Sequence, residues 1–266
     1  MGKFILNKSF KGTFFNLGVG STTLVAGDLT TAGFFGSVSQ ADFGITMTQL
    51  MSDLGITEGT AQNTSEPLLK FIHRGKIKYI NKKAIRGGTS WDHIQSRLVA
   101  NGGNVYGGAT MTFGGNSYKV RLMRGWGQVS ANTDGTGTPD YENGPLYTVN
   151  FPSGPVNLPS GVNWPTDTSD WNANSPNEWN TLIFPINENS STQSQTGNVP
   201  DWASYSNSDL QIYSGQFSEN TWTQESLNSS PSYRIWRGGS GLADIWSGGS
   251  YYNASGYLLR LVFELI

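Results

Sequence analysis

The sequence has no cysteine, which excludes disulfide bridges, thiolate metal sites and cysteine nucleophiles together. A chain of 266 residues without disulfides must rest on its own core or on association. Histidine is nearly absent too. His73 falls in an expected hairpin turn and His93 at an expected helix start, so nothing in their spacing brings them together on a metal. No transition metal and no cofactor is therefore expected, and calcium is left open. Charge is thin: charged residues make up 14% of the chain, against roughly 25% in an average protein. A net charge of −2 gives no basic field for nucleic acid or an anionic membrane. Long apolar runs are also missing; no stretch approaches the ~20 residues of a membrane span. Neither nucleic-acid binding nor membrane insertion is expected. The opening MGKFILNKSF sets one lysine before three apolar residues and does not read as a signal peptide.

What is abundant is glycine, at 34 residues, and aromatic side chains, at 12%. That composition points to strands and turns with aromatic anchors, and the fold class expected is α+β. The stretch from Leu68 to Ile94 organises the rest. Leu69, Phe71, Ile77 and Tyr79 alternate with polar residues around His73-Arg74-Gly75-Lys76, the pattern of a hairpin. Ile85 then leads through Gly87-Gly88 to Thr89 or Ser90, either able to cap a helix starting near Trp91-Asp92.

The first 66 residues read as a separate small region, with apolar clusters at Phe4-Ile5-Leu6, Phe14-Phe15 and Phe34-Phe35 too short for a core of their own. Within it, Thr22–Leu29 suggests a short strand ending at a turn. Ile45–Gly55 suggests a helix capped by Thr46 or Thr48, striped by Leu50, Met51 and Leu54, and stopped at Gly55. Further on, Met111–Leu122 is a hairpin around Gly114-Gly115-Asn116. Residues 128–176 form a long irregular stretch; Asn177–Leu182 suggests a short helix; and Tyr257–Ile266 reads as one apolar strand.

Catalytic patterns are absent. There is no phosphate-binding loop and no serine elbow, and Arg237-Gly238-Gly239-Ser240-Gly241 lacks the strand–helix context of a nucleotide site. The loop acids Asp134, Asp140, Glu142, Asp167, Asp170 and Asp201 have no calcium-loop spacing, and turn and capping roles suit them better. The residue pattern most suggestive of recognition is aromatic rings among Ser, Asn and Gly: Trp164, Trp171, Tyr205, Tyr251 and Tyr252. Trp91, Trp179, Trp222 and Trp236 lie in patterned segments and are expected in the core.

Two resemblances bear on this reading. The ordered landmarks Thr89-Ser90-Trp91-Asp92, Asn177-Glu178-Trp179-Asn180, Thr221-Trp222-Thr223, Arg234-Ile235-Trp236-Arg237-Gly238-Gly239-Ser240 and the closing Gly256-Tyr257 through Val262 resemble the formylglycine-generating-enzyme version of the C-type-lectin-like fold. That likeness implies a twisted antiparallel sheet, short helices and long loops over residues 67–266, behind a small attachment region at 1–66. It does not extend to activity, because that family's oxidases hold copper through cysteines. The second likeness spans nearly the whole chain. TTLVAGDLTTAGFFGSV, LLKFIHRGKIKYINKKAIRGGTSWDHI, YKVRLMRG, EWNTLIFPI and the terminal LVFEL are similar to tailed-bacteriophage virion proteins described as structural or tail-fibre-like.

This resemblance implies a non-enzymatic particle component. It would be assembled in the host cytoplasm and released by lysis, with other virion proteins and copies of itself as partners and a host-surface glycan or protein as ligand. A capsid decoration or a baseplate or collar part is the alternative, and a glycan-degrading enzyme a more distant one. In lectin-like relatives the ligand face lies between the R-G-G-S run and the last strand, which here carries Trp246, Ser250, Tyr251, Tyr252 and Asn253.

Overall fold

The computed structural model describes residues 16–103, 108–125, 148–149, 178–188, 202, 204–212, 219–227, 232–239, 242 and 245–266. Phe4-Ile5-Leu6, Phe14-Phe15, Trp164, Trp171 and the six loop acids named above lie outside the described residues. The strands are β1 (Ala26–Gly27), β2 (Ala32–Val38), β3 (Thr60–Ala61), β4 (Leu68–His73), β5 (Lys76–Asn81), β6 (Arg86–Gly87), β7 (Ala109–Phe113), β8 (Asn116–Leu122), β9 (Thr148–Val149), β10 (Asn220–Leu227), β11 (Tyr233–Arg237), β12 (Ile245–Gly249), β13 (Tyr257–Leu259) and β14 (Leu261–Leu265). They form two open sheets. One is antiparallel throughout, in the order β1-β2-β4-β5-β14-β8-β7. The other runs β12-β11-β10-β13-β6-β3, with β9 beside β10 and parallel pairs at β10/β13 and β10/β9. With few and short helices among the described residues, the fold is mixed α+β and rich in sheet.

The Leu68–Ile94 stretch sits at the centre, as its alternation implies. β4 and β5 pair from Leu68↔Asn81 to His73↔Lys76, and Arg74 (φ 53) with Gly75 (φ 75) makes the turn. Positive φ at both central residues matches the right-handed twist of the strands.

Side chains on one face of the large sheet, among them Leu68, Ile77, Tyr79, Val120 and Phe263, pack under three helices. These are α1 (Gln40–Phe43), α2 (Met47–Leu54) and α3 (Trp91–Ala100). α2 is capped by Thr46, whose side chain accepts from Gln49 N, and ends at Gly55 (φ 69). α3 is capped by Ser90 and buries Trp91, Ile94 and Leu98. The opposite face, with Phe34, Leu69, Phe71, Ile80 and Val262, is covered by Trp179, Leu182, Ile183, Ile186 and Leu210. The large sheet is thus a middle layer, buried on both faces.

The small region before residue 67 packs directly on the rest, with β2 paired to β4 along its length and Phe34 and Phe35 buried. Several expectations need correction. Thr22–Leu29 supplies only the two residues of β1, because Asp28 Oδ1 accepts from Thr30 N and Thr31 N and bends the chain at once. The segment expected as a helix at Asn177–Leu182 is a π-helical turn, Trp179–Ile183, closed by Phe184 N to Trp179 O at 2.9 Å.

The apolar terminus is two strands rather than one. It changes sheets at Arg260, where Ile85 N donates to Leu259 O and Leu261 N donates to Asn81 Oδ1. Arg260 is buried at this crossing, beside Leu210 O and the Trp179 ring. Burial pulls its guanidinium down to about 10.

Candidate functional site

The window expected to carry ligands is the loop from β12 to β13 on the small sheet. β11 and β12 pair antiparallel, with Tyr233 opposite Gly249, Arg234 opposite Gly248 and Trp236 opposite Trp246. The two glycines leave room for aromatic rings over the strand. A Cβ at Gly248 would stand 2.2 Å from Trp236 Cζ3 and 3.1 Å from Tyr252 Cδ2; one at Gly249 would stand 2.6 Å from Tyr251 Cε1. Substitution at either position would push these rings away.

Beyond β12 the rings form a chain from core to solvent. Trp222 and Trp236 meet edge to face at 5.6 Å, and Tyr257 stacks on Trp222 at 4.9 Å. Tyr252 then stacks on Tyr257 at 5.7 Å, and Tyr251 closes against Tyr252 at 4.8 Å and 68°. The last two make an open corner, 62% exposed at Tyr251 and 38% at Tyr252, with Tyr233 exposed nearby on the paired strand. Among the described residues these three tyrosines are half of the six exposed large hydrophobic side chains, so one place on the surface collects what the rest of the fold buries. Contact with Tyr251 also raises the Tyr252 hydroxyl above its ordinary value.

The five expected site residues therefore divide. Tyr251 and Tyr252 face solvent. Asn253 is exposed, but its Nδ2 donates to Glu58 Oε1 at 2.9 Å. Ser250 is buried and points inward, its Oγ donating to Asp92 Oδ2 at 2.9 Å, which makes it an anchor rather than a ligand contact. Trp246 takes its place in β12 by backbone pairing, and its side chain lies outside the described part. Tyr205, also read as a surface ring, instead packs edge to face on Phe34 beneath the large sheet.

Beneath the loop, the Ser90 Oγ and N–H both donate to Glu58 Oε2, at 2.7 and 3.2 Å. Partial burial alone would raise the Glu58 carboxyl, but the bonds from Ser90 and Asn253 outweigh it and hold the group down. His93 Nε2 accepts from the N–H groups of Thr57 and Glu58, which fixes the ring as neutral with its proton on Nδ1. Burial lowers its pKa, with Glu58 opposing. Ser90, Glu58 and His93 do not make a nucleophile relay, because the hydroxyl bonds to the carboxylate and the imidazole bonds to backbone.

A second constellation, not foreseen from sequence, lies under the other layer. Arg121 makes a forked pair with Glu178, at 2.8 and 2.6 Å, and reaches Glu264 at 3.0 Å. Lys78 Nζ is 2.7 Å from Glu178 and also meets His73 Nδ1 at 3.3 Å; Lys76 closes on Glu264 at 3.0 Å. Arg124 N donates to the second Glu178 oxygen. Burial alone would raise the Glu264 carboxyl, yet Arg121 and Lys78 bring it down to about 2. Burial, with Lys78 beside it, brings His73 down to about 3.

These side chains are sealed except for Lys76, so the cluster rivets the Glu178–Ile186 layer to the sheet and offers nothing to substrate. The sequence signal was the row of charges at alternate strand positions, Lys76, Lys78, Lys119, Arg121 and Glu264, which reads as a solvent face until a second layer is known. No three acids or histidines gather as a metal set among the described residues. Compared with known proteins, the chain matches no family model, no curated protein and no solved structure.

Proposed function

We propose that the chain is a non-enzymatic, tail-associated component of a tailed-bacteriophage virion that presents the Tyr251–Tyr252 corner to the host envelope. The observation that carries this is the corner itself: two large rings left open at the end of an aromatic stack, on a loop tied down at both ends. Rigid tyrosines with small polar neighbours give contact area at low entropic cost, and their faces suit sugar rings. The likeness to phage virion proteins supplies the setting: assembly in the host cytoplasm, with other virion proteins and copies of the same chain as partners. The lectin-like reading is favoured by the landmark tryptophans, which are tied into the core. Trp91 Nε1 donates to Thr223 O, Trp222 Nε1 to Thr89 O and Trp179 Nε1 to Leu242 O. In this reading β2, α1 and α2 belong to the lectin-like body.

Tyr251→Ala and Tyr252→Ala particles test the proposal. Assembly should be normal and adsorption to the host should fall by about tenfold or more, as for aromatic hot spots. Unfolding should shift little, since both rings are exposed. Normal adsorption with failed incorporation would replace the adhesin by a joint between virion subunits.

A further inference from the structure

We infer that Glu58 and Asp92 are positioning residues, which hold the Tyr251–Tyr252 corner in its binding geometry through Asn253 and Ser250; the inference rests on reading that corner as the ligand surface. The loop is exposed from Tyr251 to Ser255 and lies outside any strand or helix. Left untied, such a segment would sample many orientations, and ordering each ring on binding would cost conformational entropy. Here the ends are held by elements distant in sequence. At one end Asp92 is met twice by Ser250: its carboxylate accepts from Ser250 Oγ at 2.9 Å, and its N–H donates to Ser250 O at 3.1 Å. At the other end Glu58 Oε1 accepts from Asn253, while Oε2 accepts from Ser90. One carboxylate therefore ties the loop to the start of α3.

Glu58 is itself fixed. Its carbonyl accepts from Thr89 Oγ1 at 2.9 Å, and Arg86 donates to the carbonyls of Thr57, Glu58 and Gly59 around it. The floor is shaped to match: Gly88, at φ 72, lies under Asn253 O, where a Cβ would stand 3.2 Å away. The two carboxylates lie above the buried Thr89, Ser90 and Ser250 rather than in the core: Asp92 is exposed and Glu58 half-buried, and surface contacts of this kind usually contribute little to stability. What the two carboxylates do instead is keep the competent loop conformation populated. If that fraction falls, apparent affinity falls in proportion, through slower association rather than faster release.

The test uses the full chain with 3-fluorotyrosine at 251 or 252, observed by fluorine NMR, beside thermal unfolding. The parent should give one resonance at each position, displaced from that of free fluorotyrosine by the neighbouring rings. In Glu58→Ala/Asp92→Ala the resonances should move to the free value, with the melting temperature changed by less than about 2 °C. Asn253→Ala/Ser250→Ala should reproduce this, and adding it to the first pair should do nothing more. Glu58→Gln, which keeps one acceptor oxygen, should restore part of the displacement. Resonances unmoved in Glu58→Ala/Asp92→Ala overturn the inference whatever the corner binds. So does a melting temperature that collapses together with the shift, because the carboxylates would then be fold residues. Parent-level adsorption by Tyr251→Ala particles would instead remove the ligand reading and leave the fluorine result untouched, so the two failures are distinguishable.

Discussion

At the scale of single residues, Glu178 converts two lysine and arginine positions into buried charges. Lys78 and Arg121 alternate with core residues along β5 and β8, and a one-layer sheet would leave them in water. Removing the carboxylate leaves both buried cations to share Glu264, and breaking a buried pair in this way costs about 3–5 kcal/mol. Glu178→Ala should therefore lose most of the stability of the chain, read as the midpoint of urea unfolding. A midpoint close to that of the parent would mean that water already reaches the cluster.

The same cluster sets the acid limit. Glu264 has its pKa lowered to about 2 from 4.5, so its contribution is complete above 4.5 and is lost as pH falls toward 2, roughly 3 kcal/mol in all. His73, held neutral down to about 3, contributes stability that is complete above 6.5 and declines below it. Stability should begin to fall below pH 6.5, and less steeply in His73→Gln, where His93, also lowered by burial, is the histidine left to titrate; urea midpoints across pH 3–7 would reveal an unchanged slope if the His73 ring is not a cause.

On the alkaline side, burial lowers Lys70 to about 8, against 10.5 for the unfolded chain. A depressed lysine weakens the fold while it must stay charged, so stability should rise between pH 8 and 10. Above that, the buried hydroxyls of Tyr79 and Tyr118, both raised, oppose the gain. In Lys70→Met the rise should shrink to what Lys78 and Lys119, both lowered by burial, still contribute, which the same unfolding curves would record.

At the scale of elements, what the sequence made legible was local and what it hid was tertiary. The hairpins at Arg74-Gly75 and Gly114-Gly115, the Thr46 cap and the Ser90 cap all follow from short-range chemistry, and the structure has each of them. The terminal YLLRLVFELI gives no local sign of changing sheets, because the change depends on partners as far away as Asn81. Nor does the π-helical turn at Trp179 announce itself, since it is anchored from outside by Arg124 O and Leu242 O. Of the candidate site, the tyrosines were legible as aromatics among small residues. The inward turn of Ser250 was not, because Asp92 lies on another element.

The first 66 residues bear on stability for the same tertiary reason. Phe34, Phe35, Val38, Phe43, Met47, Leu50, Met51, Leu54 and Ile56 are all buried. Each contributes about 1.5–3 kcal/mol by burial, and the sum is at least comparable to the 5–15 kcal/mol net stability of a typical domain. A chain starting at Ser65 should therefore fail to fold. A cooperative melt from that truncation would show that the region is dispensable after all.

At the scale of the whole molecule, the chain is closed by its end. β14 lies between β5 and β8 in the middle of the large sheet, pairing Phe263 with Tyr79 on one side and with Val120 on the other. It therefore joins β1-β2-β4-β5 to β8-β7, and through Glu264 it also joins the ionic cluster under the second layer. The two histidines are separated by this same sheet: His73 belongs to the face under the Glu178 layer, and His93 to the helix on the opposite face. Elemental analysis of the purified protein should accordingly find no stoichiometric copper, iron or zinc.

Because β14 pairs with strands more than half the chain away, the loop closures it needs cost entropy before any pairing repays them. The sheet cannot be completed until β14 is in place. A chain ending at Arg260 keeps β13 and every helix, yet loses the strand on which both halves of the sheet rest. It should be soluble only as a collapsed state that binds hydrophobic dyes and melts without a cooperative transition. Adding the missing Leu261–Ile266 as a free peptide should restore little, because the intramolecular effective concentration is gone. A sharp melting transition within a few degrees of the full chain would mean that β5 and β8 close on each other directly, and that the terminal strand seals the sheet without building it.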